Sequence, residues 1–224
     1  MYMKYLVIDF EMNPLDREHI TEKEICGDEI IQIGAVALDE KYAEISHFMI
    51  QVKPQMNTKI ERRIEKLTGI TTQMLDKAPY FEEALETFFV WCDSLQDRLQ
   101  IIQWSDSDRE QFCKELLLKR INLTKHQEEM ISGWYDFQKE YGEKLGLERL
   151  VSLKDALMYA GIDAVGRQHD ALYDAQNTAV LFKTVRIPDL YKKALGKVVN
   201  ALQTKSVSTS LGDMFDFSQL ELTA

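Results

Sequence analysis

Two carboxylates one residue apart, Asp9 and Glu11, close the apolar run Tyr5-Leu6-Val7-Ile8. In an extended strand residues i and i+2 project from one side, so the two acids stand together while Phe10 points the other way, into a core. Like charges at this spacing raise one another's pKa unless a cation sits between them. Hard oxygen donors at a strand end suit Mg²⁺ or Mn²⁺. The same D-x-E pair is commonly a solvated strand end, so its meaning rests on what else the chain supplies. Asp108, with Asp106 beside it, follows the β-rich Leu99-Gln100-Ile101-Ile102-Gln103-Trp104, and His169 precedes Asp174 by five positions. In one continuous helix five positions put side chains about 140° apart. His169 and Asp174 therefore meet only if His169 lies in a loop, and Asp170 as N-cap supplies that break.

The elements that must hold these groups are legible in outline. The first strand covers Lys4 to Glu11. Ile30–Leu38 and Ile45–Val52 alternate and are rich in β-formers on either side of Asp39-Glu40-Lys41, so they read as a hairpin and three antiparallel strands open the fold. The polar stretch 12–29 between strands one and two is long for such a connection. Springing from the D-x-E end, it is either a substrate lid using Arg17, His19 or Lys23 or an ordinary solvated loop. Gly69 looks like the stop of a helical stretch within Lys59–Thr72. Phe81, Leu85, Phe88, Phe89 and Cys92 recur at helical spacing behind Pro79. Ser107 and Glu110 form a capping-box pattern that starts a helix to about Lys119, with Phe112, Leu116 and Leu117 on its buried side. Asp108 then sits in the first turn of a helix entered from strand four, a typical place for a site at the end of a sheet.

The later segments are read the same way. Trp134-Tyr135-Asp136-Phe137 is a short fifth strand or the start of a helix. Ser152 and Asp155 open a short helix that Gly161 ends near Ala160. Past Ile187-Pro188-Asp189, the i+4 series Leu190, Ala194, Val198, Leu202 predicts a docked C-terminal helix over 187–205, its Lys192, Lys193 and Lys197 on a solvated face. Residues 206–224 turn to Ser, Thr and Gly around Met214-Phe215-Asp216-Phe217. They are expected to form a flexible tail that docks a protein partner or folds back. The main domain is thus expected over 1–186.

Composition sets the outer bounds. A net charge of −10 over 224 residues argues against a protein that coats nucleic acid with a broad basic surface, but not against an enzyme gripping one strand end. Cys26, Cys92 and Cys113 form no C-x-x-C pair, which fits reduced thiols and offers no zinc site. The first strand begins within five residues of Met1, leaving no room for a signal peptide, and no apolar run approaches the ~20 residues of a membrane span. A cytoplasmic protein without a membrane partner is expected.

In chain order the reactive groups read D-x-E, then D, then H-x-x-x-x-D. This order resembles the DEDDh 3′→5′ exonucleases of the ribonuclease H-like superfamily, over roughly residues 4–185. Gly166-Arg167 before His169 and Ala175-Gln176-Asn177-Thr178-Ala179 after Asp174 are the most specific part. The Asp-Phe-Glu form of the first motif resembles the branch holding KapD-like and RNA-trimming exonucleases. The resemblance implies an α/β fold: a mixed five-stranded sheet with three antiparallel strands first and helices on both faces. It also implies a metal-dependent enzyme with two Mg²⁺ or Mn²⁺ ions per site that releases nucleoside 5′-monophosphates from a single-stranded 3′ end of RNA or DNA.

Carried over by residue, Asp9, Glu11 and Asp174 match the direct metal ligands, with Asp9 the bridge between two ions. Asp108 matches the fourth acid, favoured over Asp106 because Phe112 supplies the large apolar residue four positions on. His169 matches the general base, and an imidazole can take a proton at neutral pH. Met12 and Ile70 match positions that pack on terminal bases, although a core place suits Ile70 equally. The chain departs from the pattern at Ser105, where relatives often have Gly, and at Met12-Asn13, where a Thr often follows the glutamate. Two ions ~3.5–4 Å apart can grip a phosphodiester, one activating water and the other stabilising the leaving 3′-oxygen. They would supply locally the positive charge that an acidic surface lacks.

Two other classes compete. Haloacid dehalogenase-type phosphatases need an Asp two residues after the first, where Glu11 stands, and βαβ units rather than hairpins. A non-catalytic RNase H-like module acting through its C-terminal tail would be signalled by a lost ligand, and all five positions are filled. Metal-dependent turnover separates both from the exonuclease reading.

Overall fold

The computed structural model describes residues 3–212, and side chains as far as Leu202. Its centre is β1 (Met3–Pro14), which pairs antiparallel with β2 (Asp28–Leu38) and parallel with β4 (Arg98–Gln103). β2 pairs antiparallel with β3 (Glu44–Gln51), and β4 parallel with β5 (Trp134–Asp136), giving the order β3-β2-β1-β4-β5. This is the expected mixed sheet with three antiparallel strands first.

The period of two along β1 feeds two cores. Leu6, Ile8 and Phe10 pack with Phe81, Leu85, Phe88 and Phe89 of α4 (Phe81–Ser94) and Phe112 of α5 (Ser107–Lys119). Val7, Val36 and Ile102 face the other side. There they meet α7 (Phe137–Leu145), α8 (Leu153–Ala160), α9 (Ala171–Arg186) and α10 (Pro188–Gly212) through Tyr141, Leu157, Phe182 and Leu195. Helices therefore cover both faces. Three short helices, α2 (Arg62–Thr68), α3 (Thr72–Leu75) and α6 (Lys125–Met130), complete the set, with α1 (Ile20–Lys23) between the first two strands.

Several local expectations are corrected. Only the ends of the stretch 12–29 are strand: β1 and β2 stay paired as far as Pro14 and Asp28, with a register shift between Glu11 and Met12, and α1 lies in the loop between them. Arg17, His19 and Lys23 sit near its tip, outside the residues lining the cleft described below, and His19 Nδ1 is 2.8 Å from Asp16 Oδ1. No capping box forms at Ser107, because Asp106 is the N-cap and already has helical angles (φ −75°, ψ −6°), not the extended ones that such a cap needs. Leu117 is exposed, while Leu116 is half-buried against the core that holds Phe112. Trp134–Phe137 is both alternatives at once: β5 ends at Asp136, which caps α7 by accepting from the Lys139 amide.

Helix α10 is docked through half-buried Ala194, Val198 and Leu202 around fully buried Leu195. It continues through 206–212, where a tail was expected. The Met214–Phe217 cluster lies outside the described residues.

Candidate active site

The parallel β1–β4 ladder ends at Val7 and Ile102, so beyond it the strand edge needs other partners. Asp108, in the first turn of α5, supplies one: its Oδ1 accepts the Phe10 amide at 3.1 Å. The contact places this buried acid beside the strand residue between Asp9 and Glu11. Asp106 stays exposed and outside the cleft. The Phe10 and Phe112 rings stack below, with centroids 6.1 Å apart.

Helix α9 is brought to the acids by β2. Asp9 pairs with Gly34 and Glu11 with Gln32 across the ladder. A Cβ on Gly34 would overlap the backbone of Ala171 and Leu172, so only glycine lets the helix start this close. Gln32, itself buried, accepts the Ala171 amide at 2.9 Å on Oε1. Asp170 caps the helix, accepting from the amides of Leu172 and Tyr173. His169 is thereby kept in the loop as expected, at φ 61° in the left-handed region, a conformation costing an L-residue about 1–2 kcal/mol. Its amide donates to Asp174 Oδ2 at 2.9 Å. Asn177, one turn further along α9, grips the preceding loop by accepting the Val165 amide and donating to the Val165 carbonyl, at 2.8 and 3.1 Å.

The result is convergence. One ligand atom from each of Glu11, His169 and Asp174 lies within 4.8 Å of the other two. Asp9 and Asp108 line the same cleft, of about 670 Å³, together with Met12. Ile70 does not: it is buried with Ile31, Ile60, Ile64 and Leu75, which is the core alternative. The cleft is also lined by the apolar Trp104, Leu153, Leu157, Met158 and Ile162, and Lys154 is the only Lys or Arg among the described lining residues.

The carboxylates titrate as a crowded group. Burial, then Asp174, Asp170 and Asp108, pushes Glu11 up to about 8. Burial raises Asp108 to about 7 against the lowering pull of the Phe10 amide. Asp9 is held well above the usual carboxylate range by burial and then by Asp108, Glu11, Asp174 and Asp170. Asp174 is raised by burial, with the His169 amide opposing. No lysine or arginine figures among these influences. A set of buried and half-buried hard oxygens with no lysine or arginine side chain among their influences fits a divalent cation.

Spacing along the chain did not single out Gln32, Gly34, Asn177 or Trp104. Gly34 left a signal, a glycine inside an Ile- and Val-rich strand, which marks a close backbone approach. Asn177 lies in the Ala175–Ala179 stretch that carried the family resemblance, whereas Gln32 and Trp104 left none.

The family model described as RNase_T, Exonuclease, matches residues 6–182. The chain is 32% identical over 196 residues to ERI1 exoribonuclease 2 of Danio rerio, covering 79% of this chain and 34% of that protein. It is 27% identical over 222 residues to 3′-5′ exoribonuclease 1 of Mus musculus, covering 94% and 61%. The chain thus spans about a third of the length of the ERI1 exoribonuclease 2 relatives it matches. The crystal structure of the nuclease domain of 3′hExo, a DEDDh family member bound to rAMP, shares the fold with a TM-score of 0.71 at 23% identity, covering 82% of this chain and 92% of that one.

Proposed function

The chain belongs to the RNase T exonuclease family, and from that premise we propose that it is a metal-dependent 3′→5′ exonuclease acting on single-stranded 3′ ends and releasing nucleoside 5′-monophosphates. RNA is the proposed substrate, because the relatives named above are exoribonucleases. The observation that carries the reading is the meeting of Glu11, His169 and Asp174 in one cleft with Asp9 and Asp108.

In this reading Asp9, Glu11, Asp108 and Asp174 would hold two Mg²⁺ or Mn²⁺ ions. When bound, the ions neutralise the crowded acids, polarise the scissile phosphate and activate water. His169 accepts the proton of the attacking water on a ring nitrogen. The nearby carboxylates of Glu11 and Asp174 stabilise the imidazolium that results. Met12 and the wall of Leu157, Met158 and Ile162 give the terminal base an apolar face to lie on.

The five residues lie within the proposed catalytic domain, 1–186, against which the C-terminal helix docks. The 206–224 segment, whose residues 206–212 continue α10, remains our proposed contact for a protein partner. No described helix is long and apolar enough to cross a membrane. A cytoplasmic setting is proposed from the three free cysteines, Cys26, Cys92 and Cys113.

The test is degradation of matched 5′-labelled single-stranded RNA and DNA in Mg²⁺, in Mn²⁺ and in EDTA, with Asp9→Ala as control. A metal-dependent ladder shortening from the 3′ end, faster on RNA and absent in the variant, is expected. No ladder on either substrate would overturn the enzyme reading in favour of a binding module.

A further inference from the structure

We propose that Arg167 is a positioning residue that anchors the His169 loop to the C-terminal end of α2. An exposed arginine two residues from the centre of a nuclease site is ordinarily taken for a phosphate contact, but this one is not among the residues lining the cleft. Its Nη2 donates instead to the carbonyls of Lys66 and Leu67, at 2.9 and 3.2 Å. Those carbonyls belong to the last turn of α2, where the helix leaves acceptors unused and its dipole favours a cation.

The seat is built for the guanidinium. Gly69 ends α2 at φ 77°, and a Cβ there would overlap Arg167 Nη1. Glycine thus serves two purposes, the left-handed cap and the space above it. The loop's other fastenings all lead to α9: Val165 is held by Asn177, Gly166 lies against the Tyr173 ring where a Cβ would overlap it, and the His169 amide is held by Asp174. Among these side-chain fastenings, Arg167 alone ties the loop to α2.

A second tether matters because of how His169 is held. Its φ of 61° is one that an L-residue leaves when free to do so. Its ring makes no hydrogen bond to the described residues, so the backbone alone aims the imidazole. Releasing Arg167 is expected to let the loop pivot about its α9 contacts and turn the ring away from Glu11.

The inference rests on the exonuclease reading for its kinetic consequence, and the experiment separates the two. Amide exchange at His169 and steady-state kinetics on a 5′-labelled single-stranded RNA are compared for wild type, Arg167→Ala and Arg167→Lys. Local opening in Arg167→Ala should speed exchange of the His169 amide about tenfold or more. A displaced base should lower kcat about tenfold or more while KM stays within about twofold. Arg167→Lys, whose ammonium can reach the same carbonyls, should recover most of both. Unchanged exchange at His169 in Arg167→Ala would overturn the proposal, as would a loss confined to KM, which would make the arginine a substrate contact. A wild-type protein without nuclease activity would sink the exonuclease reading, while the exchange measurement would still decide the anchor.

Discussion

His169 donates its main-chain N–H to Asp174 Oδ2 at 2.9 Å. The residue with the imidazole and the carboxylate beside it are thus fixed to each other through backbone, and among the described residues no hydrogen bond engages the ring nitrogens. Asp170 makes this possible by ending the loop and starting the helix between them. The bond also keeps a left-handed histidine in place, offsetting a backbone geometry that would be costly elsewhere.

If the ring is the general base, His169→Ala should lower kcat by about 10²–10⁴-fold with little change in KM. Initial rates of mononucleotide release under saturating RNA would show it. A variant within about threefold of wild type would remove His169 from the proton transfer.

Asp108 has two duties that substitution can separate. Asp108→Asn keeps an oxygen for the Phe10 amide and removes the charge, so we expect activity to collapse while thermal stability holds or rises. Asp108→Ala also orphans that buried amide, at a cost of about 1–3 kcal/mol in stability. Paired melting curves and rate measurements distinguish the variants. Equal melting temperatures for Asn and Ala would mean that the Phe10 contact contributes nothing.

Glu11 gives a pH signature with a definite sign. Its pKa rises from 4.5 to about 8 on folding, so between those values the folded, metal-free protein keeps a proton that the unfolded chain has released. Stability should therefore fall as pH climbs through this window, at up to ~1.4 kcal/mol per pH unit from this group. In EDTA the melting temperature is expected to drop from about pH 5 to about pH 8, and Glu11→Gln should flatten the slope. Mg²⁺ should stabilise more at the alkaline end, where the carboxylates are ready to bind it. A melting temperature independent of pH in EDTA would contradict the crowding of these acids.

Gly34→Ala inserts a methyl group where the backbone of Ala171 and Leu172 already sits. Separating β2 from α9 should cost about 1–3 kcal/mol of stability. Because His169 and Asp174 travel with the helix, we expect kcat to fall about 10²-fold even well below the melting temperature. Full activity in a destabilised variant would show that the helix can shift without carrying the site.

Much of this was written in local sequence. The pairing of Asp9 with Glu11 follows from the two-residue period of a strand, and Phe10 does turn into the opposite core. Asp170 as a cap, and hence His169 in a loop, follows from helical geometry over five positions. The order of acids and histidine along the chain was enough to indicate the chemistry and the sheet that carries it.

Tertiary structure decided what depends on approach between distant segments. Glu29 reads as the edge of a polar loop, yet it is fully buried, accepting from the amides of Gln55, Met56 and Asn57 and facing Lys119 at 3.2 Å, with Glu115 sharing the same lysine. Ile70 was open between a base contact and a core place until the short helices folded around it. Ser107 carried the letters of a cap but not its backbone, because the turn out of β4 had already set Asp106 helical. The closeness of Glu11 to Asp174 comes from Gly34 and Gln32, which admit and hold the end of a helix nearly 140 residues away. Local periodicity records which way a side chain points; it carries no term for the distance between two elements, which packing alone sets.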